Sequence, residues 1–231
     1  MFLSRHTTAS VLALASCFIL GACDTSSTTT GTSNQATVRF VNAMTGSSTL
    51  SLSSNSTAGT GVAYQAFGAC QTVPTGSVNF AIGQTGSSTA LVTIPATTVS
   101  AGGRYTVIAT GSVSASTYLL LNDAFTTPAS GRARLRVINA VGLTTPFDVY
   151  VGTPGSSLGT ANQTNVAFNT SQSFLDVPSG ATQVWITTPG TQTVLGTTGS
   201  FTLSRSTPQT VVVTPAVTVG GQLVTVITPN C

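Results

Sequence analysis

Part of this chain is written twice, and that repetition constrains its fold more than any other feature. "ATVRFVNA" at Ala36–Ala43 returns as "ARLRVINA" at Ala133–Ala140, so Asn42 and Asn139 lie 97 residues apart. Further on, "VAYQ" from Val62 matches "VAFN" from Val166, and "VPTG" from Val73 matches "VPSG" from Val177, both at an offset of 104. "YTVIAT" from Tyr105 and "QTVVVT" from Gln209 share that offset. One insertion of seven residues within "VGTPGSSLGTANQTN" accounts for the change of register. Two copies are too few for a solenoid, whose units bury their faces by stacking in longer series. A unit of about 100 residues can hold a core of its own. The copies divide the chain into residues 36–127 and 128–231.

Within the first copy, short apolar runs alternate with Gly, Pro and Ser: "TVRFVNA", "TLSLS", "GVAYQ", "SVNFAIG", "ALVTI", "RYTVIATG" and "TYLLL". Thr, Val, Ser, Gly and Ala dominate, and β-branched residues favour extended backbone over helix. The pattern predicts an all-β protein made of two tandem immunoglobulin-like β-sandwich domains. The likeness is one of layering, because the Cys…Trp…Cys signature is missing. Period-two alternation turns Val38, Phe40, Leu135 and Val137 inward, with Phe80, Ile82, Val184 and Ile186. The same alternation directs Arg39, Arg134 and Arg136 to water.

The N-terminus reads as an export signal. Arg5 and His6 precede an apolar run, "ASVLALASCFIL", of about a dozen residues, short of the roughly 20 that a membrane-spanning helix needs. "LGAC" follows at Leu20–Cys23 and resembles the lipobox of bacterial lipoproteins, in which cleavage precedes a cysteine that then carries lipid. The expectation is a signal peptide over 1–22, lipidation at Cys23, and a flexible Thr/Ser-rich tether over 23–35. The chain is then anchored by its N-terminal lipid to a bacterial cell envelope, with the outer membrane or cell surface favoured. Asp24 keeps the inner membrane open.

Across the repeat boundary, "VSAGGRYTVIATG" (Val99–Gly111), "LLLNDAFTTPASGRARLRVINA" (Leu119–Ala140) and "FDVYV" (Phe147–Val151) carry a family resemblance. They resemble the domain-of-unknown-function 4397 family of secreted and surface bacterial proteins. The second copy departs from the pattern at "LSRSTPQTVVVT", and the first at "LSLSS". The resemblance implies a secreted β-sandwich and no catalytic residue.

Composition closes many routes to catalysis. The chain has no Lys or Glu, and its one His lies in the signal, so Ser/His/Asp and Cys/His relays cannot be assembled. Two cysteines beyond Cys23 are too few for a structural zinc site. No cofactor or metal is expected. A formal net charge of +3 over 231 residues gives no reason to expect nucleic acid as a partner. Asp123, Asp148 and Asp176 are the carboxylates of the two copies, and they read as turn and strand-end residues. An envelope glycan hydrolase using two of them is the alternative reading.

Three further features mark candidate contacts. Arg132, Arg134 and Arg136 alternate along one strand, as either a patch for a small anion or glycan carboxylate or a solvated junction face meeting Asp123 or Asp148. Trp185 points away from the core where the first copy has Ala81, so it either meets a sugar or partner protein or is covered by a loop. Cys70 and Cys231 remain as exported thiols, which leaves a disulfide between the copies or two free thiols. The reading is a non-catalytic binding or structural module, with an envelope protein or glycan as partner.

Overall fold

Strand follows strand because β-branched runs end every few residues at Gly, Pro or Asn. The computed structural model describes residues 34–142, 146–215 and 223–231, and among these there are eighteen strands and no helix. The predicted signal, Cys23 and the tether up to residue 33 lie outside the described residues. The first copy holds β1 (Gln35–Asn42), β2 (Leu50–Ser54), β3 (Thr57–Ala58), β4 (Ala66–Phe67), β5 (Gln71–Pro74), β6 (Gly76–Gln84), β7 (Ala90–Val99), β8 (Arg104–Ser112) and β9 (Ala115–Asn122). The second holds β10 (Arg132–Asn139), β11 (Phe147–Gly152), β12 (Gln163–Val166), β13 (Leu175–Pro178), β14 (Gly180–Thr187), β15 (Val194–Thr197), β16 (Phe201–Leu203), β17 (Gln209–Thr214) and β18 (Val224–Pro229). "GVAYQ", expected as a strand, contributes one isolated bridge, Val62 to Leu50.

Each copy is a two-sheet sandwich. In the first, β4 and β5 flank β1, which pairs with β8 and then β9, and the facing sheet runs β3-β2-β6-β7. The second repeats this as β13-β10-β17-β18 facing β12-β11-β14-β15, with β16 also on β14. The neighbours β1 and β8 are parallel, and so are β10 and β17, while the other pairs are antiparallel. Val38, Phe40, Leu52, Phe80, Ile82 and Val107 fill the first core. Leu135, Val137, Val149, Val184, Ile186 and Val211 fill the second.

A third apolar cluster joins the copies. Val41, Ala43, Ile108 and Leu121 of the first meet Ile138, Ala140, Val212 and Val226 of the second. The sheets β1-β8-β9 and β10-β17-β18 are therefore covered on both faces. This corrects the expected outlook of the arginines. Arg39 and Arg136 share parity with Val41 and Ile138, so they enter this junction and keep only 9% and 2% of their exposure. Arg134 stands nearer the rim and stays partly exposed. Period-two alternation fixes which residues share a face, but it does not say what covers the outer one.

The contacts across the junction come in matched pairs. Gln65 of the first copy donates from Nε2 to Thr214 Oγ1 of the second at 2.9 Å. Its counterpart Asn169 accepts at Oδ1 from Thr110 Oγ1 of the first at 2.8 Å. Gln65 and Asn169, like Thr110 and Thr214, are 104 residues apart. Both Gln65 and Asn169 hold a left-handed backbone, φ 60° and 53°, which turns the side chain out of its own sandwich. The two copies thus face each other about an approximate two-fold axis.

Candidate functional site

The junction carries the densest polar chemistry of the described residues. Arg136 Nη2 lies 2.5 Å from Asp123 Oδ1, with side-chain exposures of 3% and 0%. Arg136 also donates to Thr210 Oγ1 and to the carbonyl of Asn122, and its guanidinium stacks on Phe174 at 4.6 Å. Thr106 donates to the other Asp123 oxygen at 2.6 Å. Burial raises the pKa of Asp123, and the Arg136 charge and the Thr106 hydroxyl offset only part of that rise. Nearer the surface one carboxylate serves two cations. Asp176 receives Arg132 Nε at 2.5 Å and Arg134 Nη1 at 2.9 Å.

Above this pair opens a cleft of about 420 Å³. Arg134 and Arg136 form its base, Phe125 and Phe174 wall it, and Asn122 and Gln172 supply amides at the edge. Phe125 belongs to the segment linking the copies, and Phe174 to the turn entering β13, so both copies build the cleft. Arg134 also donates from Nε to Thr126 O at 3.2 Å, which holds the linker against β10. Its remaining nitrogen, Nη2, has no hydrogen-bond partner among the described residues.

Trp185 lies elsewhere. It points off β14 on the face opposite Val184 and Ile186, beside Tyr150 and Thr197 on the neighbouring strands. The indole packs over Gly152, where an added Cβ would come within 3.4 Å of the ring, and it is half-buried. The inserted segment folds toward the same face, since Gly155 N donates to Gln183 Oε1 at 3.3 Å. Trp185 and the arginines leave opposite sheets of the second sandwich, so they do not form one site.

The remaining carboxylate is tied to backbone. Asp148 accepts from Asn165 N and Gly190 N, each at 2.8 Å. Cys70 and Cys231 are joined by a disulfide with Cα atoms 5.9 Å apart, which links the first copy to the second. No group of three or more His, Cys, Asp or Glu among the described residues is placed to hold a metal ion. Phe125 and Phe174 escaped the reading of the sequence. Their signal was available, since each is an aromatic residue in a polar turn outside the alternating runs.

The family model described as "Domain of unknown function (DUF4397)" matches residues 36–142 and again 135–230. The chain belongs to the DUF4397 family. It carries two tandem copies, and the matches overlap over 135–142, which takes in most of β10, the strand that opens the second. Comparison with curated proteins gives no match for this DUF4397 chain. One similar solved structure is described as "Alpha-glucan recognition by family 41 carbohydrate-binding modules from streptococcal virulence factors". The likeness covers 77% of this chain and 92% of that one, at 11% identity and a TM-score of 0.27. A score that low carries no argument about fold or ligand.

Proposed function

We propose that this DUF4397 protein is an envelope-tethered, non-catalytic module that binds an acidic glycan in the junction cleft. One observation carries the reading: Asp176 is shared by Arg132 and Arg134, which leaves a net positive charge beside the aromatic walls of that cleft. A carboxylated sugar fits this chemistry. Its carboxylate takes the Arg134 nitrogen left without a partner, its apolar ring face lies on Phe125 or Phe174, and its hydroxyls meet Asn122 and Gln172. The three aspartates of the described residues are engaged with arginine, threonine or backbone N–H groups, which supports binding over hydrolysis. Export and anchoring rest on "LGAC" and the apolar run before it.

Titration calorimetry with uronic-acid oligosaccharides and their carboxyl-reduced neutral analogues tests the ligand. The acidic oligomer is expected to bind and the neutral one to bind at least about tenfold more weakly, as for a charge-assisted hydrogen bond. Arg134→Ala is expected to remove that difference while leaving the melting temperature within a few degrees. Equal binding of both oligomers, or binding indifferent to Arg134, overturns the assignment.

A further inference from the structure

The matched contacts across the junction contain one unmatched charge. Arg136 of the second copy has Asp123 of the first. The place equivalent to Asp123 in the second copy is Asn230. Asp123 N donates to Arg104 O and Asn230 N to Pro208 O, while Thr106 donates to Asp123 and Thr210 to Asn230. An amide there gives Arg39, the counterpart of Arg136, no negative charge. Among the described residues, Arg39 Nε and Asn230 Nδ2 are both buried donors without a hydrogen-bond partner, in residues only 9% and 8% exposed. The hydrogen-bond acceptors of the Arg39 guanidinium among the described residues are neutral, Gly68 O at 3.2 Å and Cys70 Sγ at 2.9 Å, and the group lies over the Phe67 ring. Burial lowers its pKa, and the nearby charge of Asp123 offsets only part of that fall.

Cys70 stands where the second copy has Phe174, and its sulfur can supply the missing charge. As a thiolate it would accept a charge-assisted hydrogen bond from Arg39 Nη2. Cys70 is exposed and Cys231 half-exposed. Cys231 also borders a surface hollow of about 300 Å³ lined by Gln35, Thr37, Thr72, Gly103 and Arg104. The hollow leaves open space on the Cys231 side of the bond.

We propose that Cys70–Cys231 is a thiol-exchange site for an external dithiol, with Cys70 as the leaving sulfur and Arg39 as the group that stabilises it. One thiolate of the dithiol attacks Cys231 Sγ, and a mixed disulfide forms as the Cys70–Cys231 bond breaks. The electron pair of that bond passes to Cys70, which departs as a thiolate facing Arg39. The second thiol of the dithiol loses its proton to water and attacks the mixed disulfide at the dithiol's own sulfur. Cys231 is released as a thiolate that takes up a proton. The dithiol supplies both electrons and leaves as a cyclic disulfide. The direction of attack follows from leaving-group acidity, because the sulfur with the lower thiol pKa departs faster.

The test uses the full chain with Cys17→Ser and Cys23→Ser, so that two cysteines remain, and dithiothreitol as the probe. Brief exposure, acid quench and peptide mass spectrometry are expected to find the mixed disulfide on Cys231 and Cys70 free. Arg39→Gln is expected to slow reduction about tenfold and Arg39→Lys to restore most of the rate. In the reduced protein, alkylation of Cys70 is expected to titrate at least about one unit below the ~8.5 of a free cysteine. A mixed disulfide on Cys70, an unchanged rate in folded Arg39→Gln, or a midpoint at or above ~8.5 overturns the proposal. Where Arg39→Gln fails to fold, the site of attack and the midpoint in the chain retaining Arg39 still decide it.

Discussion

Arg136 and Arg39 occupy equivalent places and meet different company, so single substitutions there should read out differently. Arg136→Gln leaves Asp123 buried without its cation and is expected to cost roughly 3 kcal/mol at neutral pH, by chemical denaturation. The pH dependence has a definite sign. Burial holds the Asp123 pKa above its ordinary value of 3.8, so the folded chain keeps that proton to higher pH than the unfolded chain does. The stability from this group is therefore present at low pH and lost as pH rises from 3.8 through the folded value, and is constant above it. Melting curves of the wild type should fall relative to Asp123→Asn across that window, and parallel curves would refute the linkage. At the N-terminus, Cys23→Ser is expected to abolish palmitate labelling and membrane fractionation, and equal membrane retention would sink the anchor. The alternation of Arg132, Arg134 and Arg136 was legible in the sequence, and so was the junction they line. Asp123 was legible as a partner, and Arg136 meets it, whereas Asp176 was not, because it reaches Arg132 and Arg134 from the neighbouring strand β13 and local order carries no record of that pairing.

At the scale of the strands, most of the fold could be read directly. The repeat offset, the inward positions Phe80, Ile82, Val184 and Ile186, and the sandwich class follow from period-two patterning and turn residues. What misled was the outer face of β1 and β10. Both strands carry apolar residues at both parities, Phe40 with Val41 and Val137 with Ile138, which is the mark of a strand buried on two sides. Turn chemistry offers a sharper test. Gly111 at the end of β8 has φ +79°, and a Cβ there would lie 2.3 Å from the carbonyl oxygen of Ala115. Gly111→Ala is expected to cost roughly 2 kcal/mol by opening the β8–β9 turn, within the usual range for such strain. An alanine variant as stable as wild type would contradict the turn geometry.

Residues 32–231 behave as one compact unit, because the junction has a core of its own. Ile138→Ala removes a fully buried side chain from that junction and is expected to cost about 3 kcal/mol. Unfolding should remain a single transition, whereas two separated transitions would mean that the copies melt independently. The disulfide closes a loop with a sequence separation of 161. Cys231→Ser is expected to lower stability by up to about 5 kcal/mol on the chain-entropy model, measured against the oxidised wild type. The reciprocal hooks of Gln65 on Thr214 and Thr110 on Asn169 bear on assembly. A duplicated unit joined head to tail would expose one unsatisfied surface at each end, and such ends can add further units without limit. An isologous union consumes the patch on both partners at once. Among the described residues, this chain has therefore turned inward, each copy upon the other, the surface by which its units recognise one another.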